Sequence, residues 1–69
     1  MKFLVINANE NDGHKIVNIV NSSALNQFCT NRLIGEKFPW VSFVIVDKET
    51  FLSEYFPYKE EYFSIALSR

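Results

Sequence analysis

The segment WVSFVIVD, at residues 40–47, is the strongest β-strand signal in the chain. In an extended strand, successive side chains point to opposite faces of the sheet. Apolar residues occupy both faces here, namely Trp40, Val44 and Val46 on one and Val41, Phe43 and Ile45 on the other. A sheet with one face in water normally alternates apolar with polar residues. This strand therefore predicts a sheet that needs a cover on both faces.

The N-terminal part of the chain predicts a β-hairpin. Residues 2–8, KFLVINA, and 15–21, KIVNIVN, are rich in β-branched residues and apolar on both faces, which is typical of strands. Residues 9–14, NENDGH, are a dense turn signal between them. The Asp12-Gly13 pair favours a tight hairpin, because glycine adopts a positive φ without steric cost.

The middle of the chain predicts one main helix at residues 22–35, SSALNQFCTNRLIG. Its apolar residues recur at i, i+3, i+4 and i+8 and would share one helical face; they are Leu25, Phe28, Cys29 and Leu33. Ser22 or Ser23 would cap the helix at its N-terminus, and Gly35 would end it. Pro39 makes the residues after Gly35 a connection rather than a continuation of the helix.

The C-terminal part predicts a short helix and a last strand. Residues 48–56, KETFLSEYF, fit either a short helix that Thr50 caps and Pro57 ends, or an irregular loop. Residues 61–68, EYFSIALS, alternate in polarity and predict a half-buried strand at an edge of the sheet. The predicted fold is thus a single α+β domain with a small, antiparallel-rich sheet, in the order β-β-α-β-(short α)-β. One main helix would pack on one face of that sheet.

The length of the chain limits how such a sheet is stabilised. A domain of 69 residues buries only about 60% of the surface that its unfolded chain exposes. A single cysteine excludes an internal disulfide, and one His with one Cys cannot supply the four ligands of a structural zinc site. An unusually apolar core or self-association remains, and an apolar content of 48% is compatible with either.

The predicted main helix covers one face, so the second face needs another cover. Covering about 400 Å² of apolar surface contributes roughly 10 kcal/mol before the costs of association. In one alternative the cover is internal: residues 51–63 fold back, and Phe51, Phe56 and Phe63 become core. In the other it is external, a homodimer or a larger protein that contacts Glu54, Tyr55, Tyr58, Glu60, Glu61 and Tyr62. The alternatives are compatible, with phenylalanines inside and tyrosines outside.

Motifs for catalysis and for cofactor binding are absent from the sequence. We expect His14 to be a solvated turn residue and Cys29 a small buried apolar residue rather than a nucleophilic pair. Asp47 and Glu49 are expected to be charges at a helix start rather than metal ligands. Both glycines are isolated, so no phosphate-binding loop is present. The sequence predicts no enzyme, no cofactor and no metal site.

The charge and the apolar runs argue against nucleic-acid binding and against a membrane protein. A net charge of −1 provides no long-range attraction for nucleic acid and is too weak for a DNA mimic. No apolar run approaches the 18 or so residues that span a bilayer, and no signal-peptide pattern is present, so we expect a cytoplasmic location and no membrane partner.

These properties favour a non-catalytic protein-binding module. In size and character the chain is similar to small phage-encoded host-takeover and anti-defence proteins, although no residue pattern matches a particular family. The hypothesis is an inhibitor, encoded by a phage or mobile element, that covers a site on a larger host protein. The alternative is a small homo-oligomer that sequesters a small molecule such as a nucleotide, with Arg32 or Lys37 meeting a phosphate.

Overall fold

The computed structural model describes residues 1–22 and 27–67. Within these residues the chain forms three strands, β1 (Lys2–Asn7), β2 (Phe43–Asp47) and β3 (Tyr62–Leu67). β1 is central and antiparallel to both neighbours, in the order β2-β1-β3. The predicted α+β class with a small antiparallel sheet is confirmed, and β3 lies at an edge as predicted.

The second predicted strand is wrong, because residues 15–21 belong to a helix, α1 (Gly13–Ser22). Ile16 and Val20, one helical turn apart, are buried in the core. β-branched residues favour strands only weakly, and burial of an apolar stripe against the sheet outweighs that preference. The predicted Asp12-Gly13 hairpin is wrong as well, since Gly13 begins α1 and does not have a positive φ.

The predicted main helix is present in its described part as α2 (Gln27–Lys37), and its C-terminal end differs from the prediction. Gly35 lies inside α2 rather than after it, and the last helical residue is Lys37, two residues before Pro39. Ser22 ends α1 instead of capping the next helix. The predictions for Ser23 and Leu25 lie outside the described residues.

The buried face of α2 also differs from the prediction. Phe28 is 74% exposed and Cys29 is exposed, whereas Thr30 and Ile34 are both completely buried and Leu33 is half-buried. The apolar residues of α2 follow no clear stripe, so contacts with the rest of the fold decide which face is buried.

Two helices, rather than the predicted one, pack on the same face of the sheet. This helix-covered face carries Leu4 and Ile6 of β1, which are almost inaccessible to solvent. The core that they form with both helices consists of Leu4, Ile6, Ile16, Val20, Ile34, Val41 and Leu67. Both helices therefore cover the same face of the sheet, and any internal cover of the opposite face has to come from the C-terminal part of the chain.

Candidate functional site

The helix-free face of the sheet is apolar over two of its three strands. In the register of the described strands, Val5 of β1 lies between Val44 of β2 and Ser64 of β3. Phe3 lies between Val46 and Ala66, one step along the same face. Tyr62 opposes Asn7 at the far end. Without a cover, this face would expose four apolar side chains to water, namely Phe3, Val5, Val44 and Val46.

Residues 48–61, here called the covering segment, begin with a helix cap. The backbone N–H of Thr50 donates to Oδ1 of Asp47 (2.8 Å), so Asp47 caps the short helix α3 (Lys48–Thr50). This backbone hydrogen bond is the main cause that lowers the pKa of Asp47 below its usual value, and the charge of Lys2 lowers it further. The prediction of a helix start here is confirmed, but Thr50 is not its cap, and the irregular-loop alternative is wrong.

The covering segment continues as a wide π-helical turn (Phe51–Tyr55) and then as 3₁₀ helix (Phe56–Glu61). The backbone N–H of Phe56 donates to the carbonyl oxygen of Phe51, which closes the wide turn. Pro57 lies in the first turn of the 3₁₀ helix, where its missing N–H costs no hydrogen bond, rather than ending the helix as predicted.

One end of the helix-free face is covered internally. Phe51 is 9% exposed and stacks on Phe3, with ring centroids 4.2 Å apart and planes 8° apart. Phe56 contacts Phe51 edge-on at 6.0 Å but remains 49% exposed. Phe63 is half-buried against the core on the opposite face. The internal alternative is therefore correct for Phe51. Phe63 packs against the core as predicted, but on the helix-covered face, and the prediction that Phe56 becomes core is wrong.

The other end of the helix-free face is an open groove with a volume of about 400 Å³. Its lining consists of Val5, Asn7, Val41, Ser42, Phe43, Val44, Tyr55 and Tyr62. Val5 is only 2% exposed, whereas Val44 is 43% exposed. The rings of Tyr55 and Tyr62 are half-buried and meet edge to face at 5.2 Å. Val44 and the two tyrosine rings thus contribute accessible apolar surface to the groove.

The structure brings together two of the six residues predicted to contact a partner, Tyr55 and Tyr62. Tyr58 is 57% exposed and lies with Glu60 and Glu61 around a separate depression of about 240 Å³. Glu54 is exposed, one residue before Tyr55 in the chain. The predicted contact set therefore falls into a tyrosine pair inside the groove and an exposed tyrosine with carboxylates beside it.

Several groove residues were not predicted as site residues, Val44 above all. The signal for Val44 was present in the two-faced strand at residues 40–47. Trp40, predicted on the same face as Val44, lies elsewhere: its Nε1–H donates to the Asp12 carboxylate, and its ring meets Phe38 edge-on at 6.1 Å. The hydrogen bond joins the residue before α1 to the loop before β2.

The segment that follows β2 and contains Tyr55 is acidic in sequence. Residues 47–62 contain five carboxylates and two lysines, which gives this segment a net charge of −3 in a chain of net charge −1. One of those lysines, Lys59, places its Nζ 5.8 Å from the ring centroid of Phe56. In the part of the chain that the structure describes, no Lys or Arg lines the groove.

Residues with catalytic potential are dispersed. His14 is an exposed residue of α1, 5.0 Å from the Phe63 ring, rather than the predicted turn residue. Cys29 is exposed on α2, so its predicted burial is wrong. Residues 1–22 and 27–67 contain no group of three or more His, Cys, Asp or Glu side chains able to hold a metal ion. None of the helices among those residues combines the length and apolar content needed to cross a bilayer.

No protein-family model matches the chain, and no similar protein was found among curated proteins or solved structures. The fold and the groove define the chain as a small α+β protein in which one face of the sheet is only half covered. The geometry of that face is the basis on which we propose a function.

Proposed function

We propose that this chain is a non-catalytic protein-binding module that inhibits a larger protein by covering a site on it. The observation that carries the proposal is the half-covered sheet face, where Phe51 covers the Phe3 end and leaves Val44 accessible beside Tyr55 and Tyr62. An accessible apolar side chain beside aromatic rings resembles the centre of a protein–protein interface, where aromatic residues are enriched.

The residue types around the groove support a protein partner. Tyrosine combines a large apolar ring with a polar tip and loses little conformational entropy on binding, so it is enriched at interfaces. Tyr58 is well exposed next to Glu60 and Glu61, and Glu54 precedes Tyr55. Tyr58 would be an exposed anchor for the partner, and the three carboxylates would form the polar rim that interfaces usually have.

The proposal also covers the kind of partner, the cellular location and the genetic origin of the chain. The partner is a larger host protein in the cytoplasm, and the chain is encoded by a phage or mobile element. The support for this extension is the small, weakly acidic, single-domain character of the chain and its similarity in size and character to phage-encoded host-takeover and anti-defence proteins.

The test compares two exposed aromatic residues on different surfaces. The tagged protein is used to capture partners from host lysate, and each captured protein is purified and its Kd measured by calorimetry. Tyr58→Ala should weaken binding at least tenfold, whereas Phe28→Ala, which removes a 74% exposed ring from α2, should not change it. Equal affinities for both variants would contradict the site, and circular dichroism checks that both variants are folded.

A second candidate function is sequestration of a small molecule such as a nucleotide by a homo-oligomer. The groove volume of about 400 Å³ lies in the range of small-molecule sites. Its described lining contains no cation for a phosphate, and Arg32 is paired on α2 with Glu36 at 3.1 Å. A nucleotide panel in a thermal-shift assay distinguishes the two functions, since a ligand of the folded state raises Tm. A rise of several degrees with one nucleotide would favour this second candidate.

A further inference from the structure

β2 (Phe43–Asp47) is an edge strand, because within residues 1–22 and 27–67 it pairs only with β1. Along an outer edge, alternate residues direct their backbone N–H and C=O groups away from the sheet, where another strand can bond them. The sequence FVIVD lacks the Pro or Lys that commonly protects an edge. Its single charge, Asp47, is at the strand end and bonded to Thr50.

The groove lies beside this edge. Phe43 and Val44 of β2, with the two residues before the strand, form one side of the groove, and Val44 is the exposed apolar residue there. A strand added to β2 would place every second side chain on the helix-free face, next to Val44. Such a side chain would face the rings of Tyr55 and Tyr62 across the groove. The edge would supply main-chain hydrogen bonds, and the groove would supply an apolar contact.

The charges near the two groove tyrosines indicate which charge the added strand should carry. The segment 47–62 carries a net charge of −3, and the exposed Glu54 and Glu61 adjoin the two groove tyrosines in sequence. Since no described Lys or Arg lines the groove, a basic residue of the partner that lies near Glu54 or Glu61 meets no positive charge of the groove lining.

We infer that the partner contributes an extended segment, apolar at its centre and flanked by Lys or Arg, which pairs with the outer edge of β2. This inference rests on the proposed protein-binding function and specifies the chemistry of the partner. Strand addition of this kind obtains affinity from main-chain hydrogen bonds and specificity from pockets for alternate side chains.

A second copy of this chain fits the same edge less well. Antiparallel pairing of β2 with β2 of another copy would continue the sheet and would put two segments of net charge −3 on the same face. Their mutual repulsion opposes association, whereas a basic segment from another protein is attracted.

The inference is tested with three synthetic ten-residue peptides that share an alternating valine-threonine centre. The first has Lys pairs at both ends, the second has Glu pairs, and the third is the Lys peptide with N-methylated central residues. In NMR titrations of the ¹⁵N-labelled protein, the Lys peptide should shift the amides of β2, Tyr55 and Tyr62. It should bind at least tenfold more tightly than the Glu peptide at low salt, with a smaller ratio at 0.5 M NaCl. The N-methylated peptide should not bind.

Two charge-matched variants locate the contact on the protein. Val44→Lys and Phe28→Lys each replace an exposed apolar residue and add one positive charge, but only the first lies at the edge of β2. The Lys peptide should lose its affinity for Val44→Lys and keep it for Phe28→Lys.

Any of the following results would overturn the inference. Equal affinity for the Lys and Glu peptides would contradict the basic partner, and binding of the N-methylated peptide would contradict strand pairing. The absence of shifts at 1 mM Lys peptide would contradict both. A dimer in sedimentation that Val44→Lys dissociates would identify a second copy as the occupant. A captured partner that depends on Tyr58 but still binds Val44→Lys would leave the proposed function standing and remove only the pairing with β2.

Discussion

The two glycines should respond in opposite directions to the same substitution by alanine. Gly13, the first residue of α1, is buried beneath the ring of Phe63. A Cβ at Gly13 would lie 2.8 Å from Cε2 and 2.9 Å from Cδ2 of that ring. Carbon atoms in contact prefer a separation of about 3.5–4.0 Å, so the ring would have to move by roughly 0.7 Å or more.

The surroundings of Phe63 oppose this movement. Its ring packs against the core on the helix-covered face and lies 5.0 Å from the ring of His14. Forcing an extra methyl group into a packed site costs about 1–3 kcal/mol. Gly35, by contrast, lies inside α2, where an added Cβ would meet no heavy atom of the described residues within 4 Å. Alanine favours the interior of a helix by about 1 kcal/mol relative to glycine.

We therefore expect Gly13→Ala to lower the free energy of unfolding by about 1–2 kcal/mol and Gly35→Ala to raise it by about 0.5–1 kcal/mol. Urea unfolding followed by circular dichroism measures both, and Tm values should differ by roughly 10 °C in a domain of this size. In a Phe63→Leu background the loss from Gly13→Ala should shrink, because the smaller side chain leaves room. Equal changes of the same sign in both variants, or an undiminished loss with Phe63→Leu, would refute the close approach.

Three further changes test other parts of the fold. Phe51→Ala removes the ring stacked on Phe3 and should lower the free energy of unfolding by about 3 kcal/mol, as measured in urea. This is a large share of the roughly 3–10 kcal/mol expected for a domain of this length. A loss below about 1 kcal/mol would show that the Phe51 ring buries little of the helix-free face. Thr30→Val should stabilise the protein by about 1 kcal/mol, because the buried Thr30 hydroxyl has no hydrogen-bond partner in the described residues, and destabilisation would reveal such a partner. Asp47→Asn tests the helix cap that the Asp47 carboxylate forms with the backbone N–H of Thr50. Because folding lowers the pKa of Asp47, its carboxylate stabilises the fold above the unfolded pKa of about 3.9, and this stabilisation is lost as the pH falls through the lower pKa of the folded state. The Tm difference between wild type and variant should therefore narrow below about pH 4, and a difference that stays constant with pH would contradict the cap as its cause.

The three strands were predictable from sequence because strand formation here depends on local side-chain shape. β1, β2 and β3 fall inside the predicted ranges 2–8, 40–47 and 61–68. Each range is rich in β-branched or aromatic residues and bounded by turn or charged residues, which are signals within one segment.

The helix at α1 was not predictable in the same way. Ile16, Val17 and Val20 fit a helical stripe as well as a two-faced strand, and seven residues are too few to separate the two periods. β-branched composition favoured the strand, whereas burial of Ile16 and Val20 against the sheet required the helix. In α2 the same limit applies, since the sequence pattern selected Phe28 and the fold buried Ile34.

For the candidate site, the sequence alone determined that β1 and β2 carry apolar side chains on both faces, because alternation along a strand assigns each residue to a face. Only the tertiary structure decided how far the second face is covered. That depends on Phe51 stacking on Phe3, a contact between residues far apart in the chain, and on the wide turn that places Tyr55 beside Tyr62. Such contacts result from chain closure and packing between segments, which no pattern within one segment encodes.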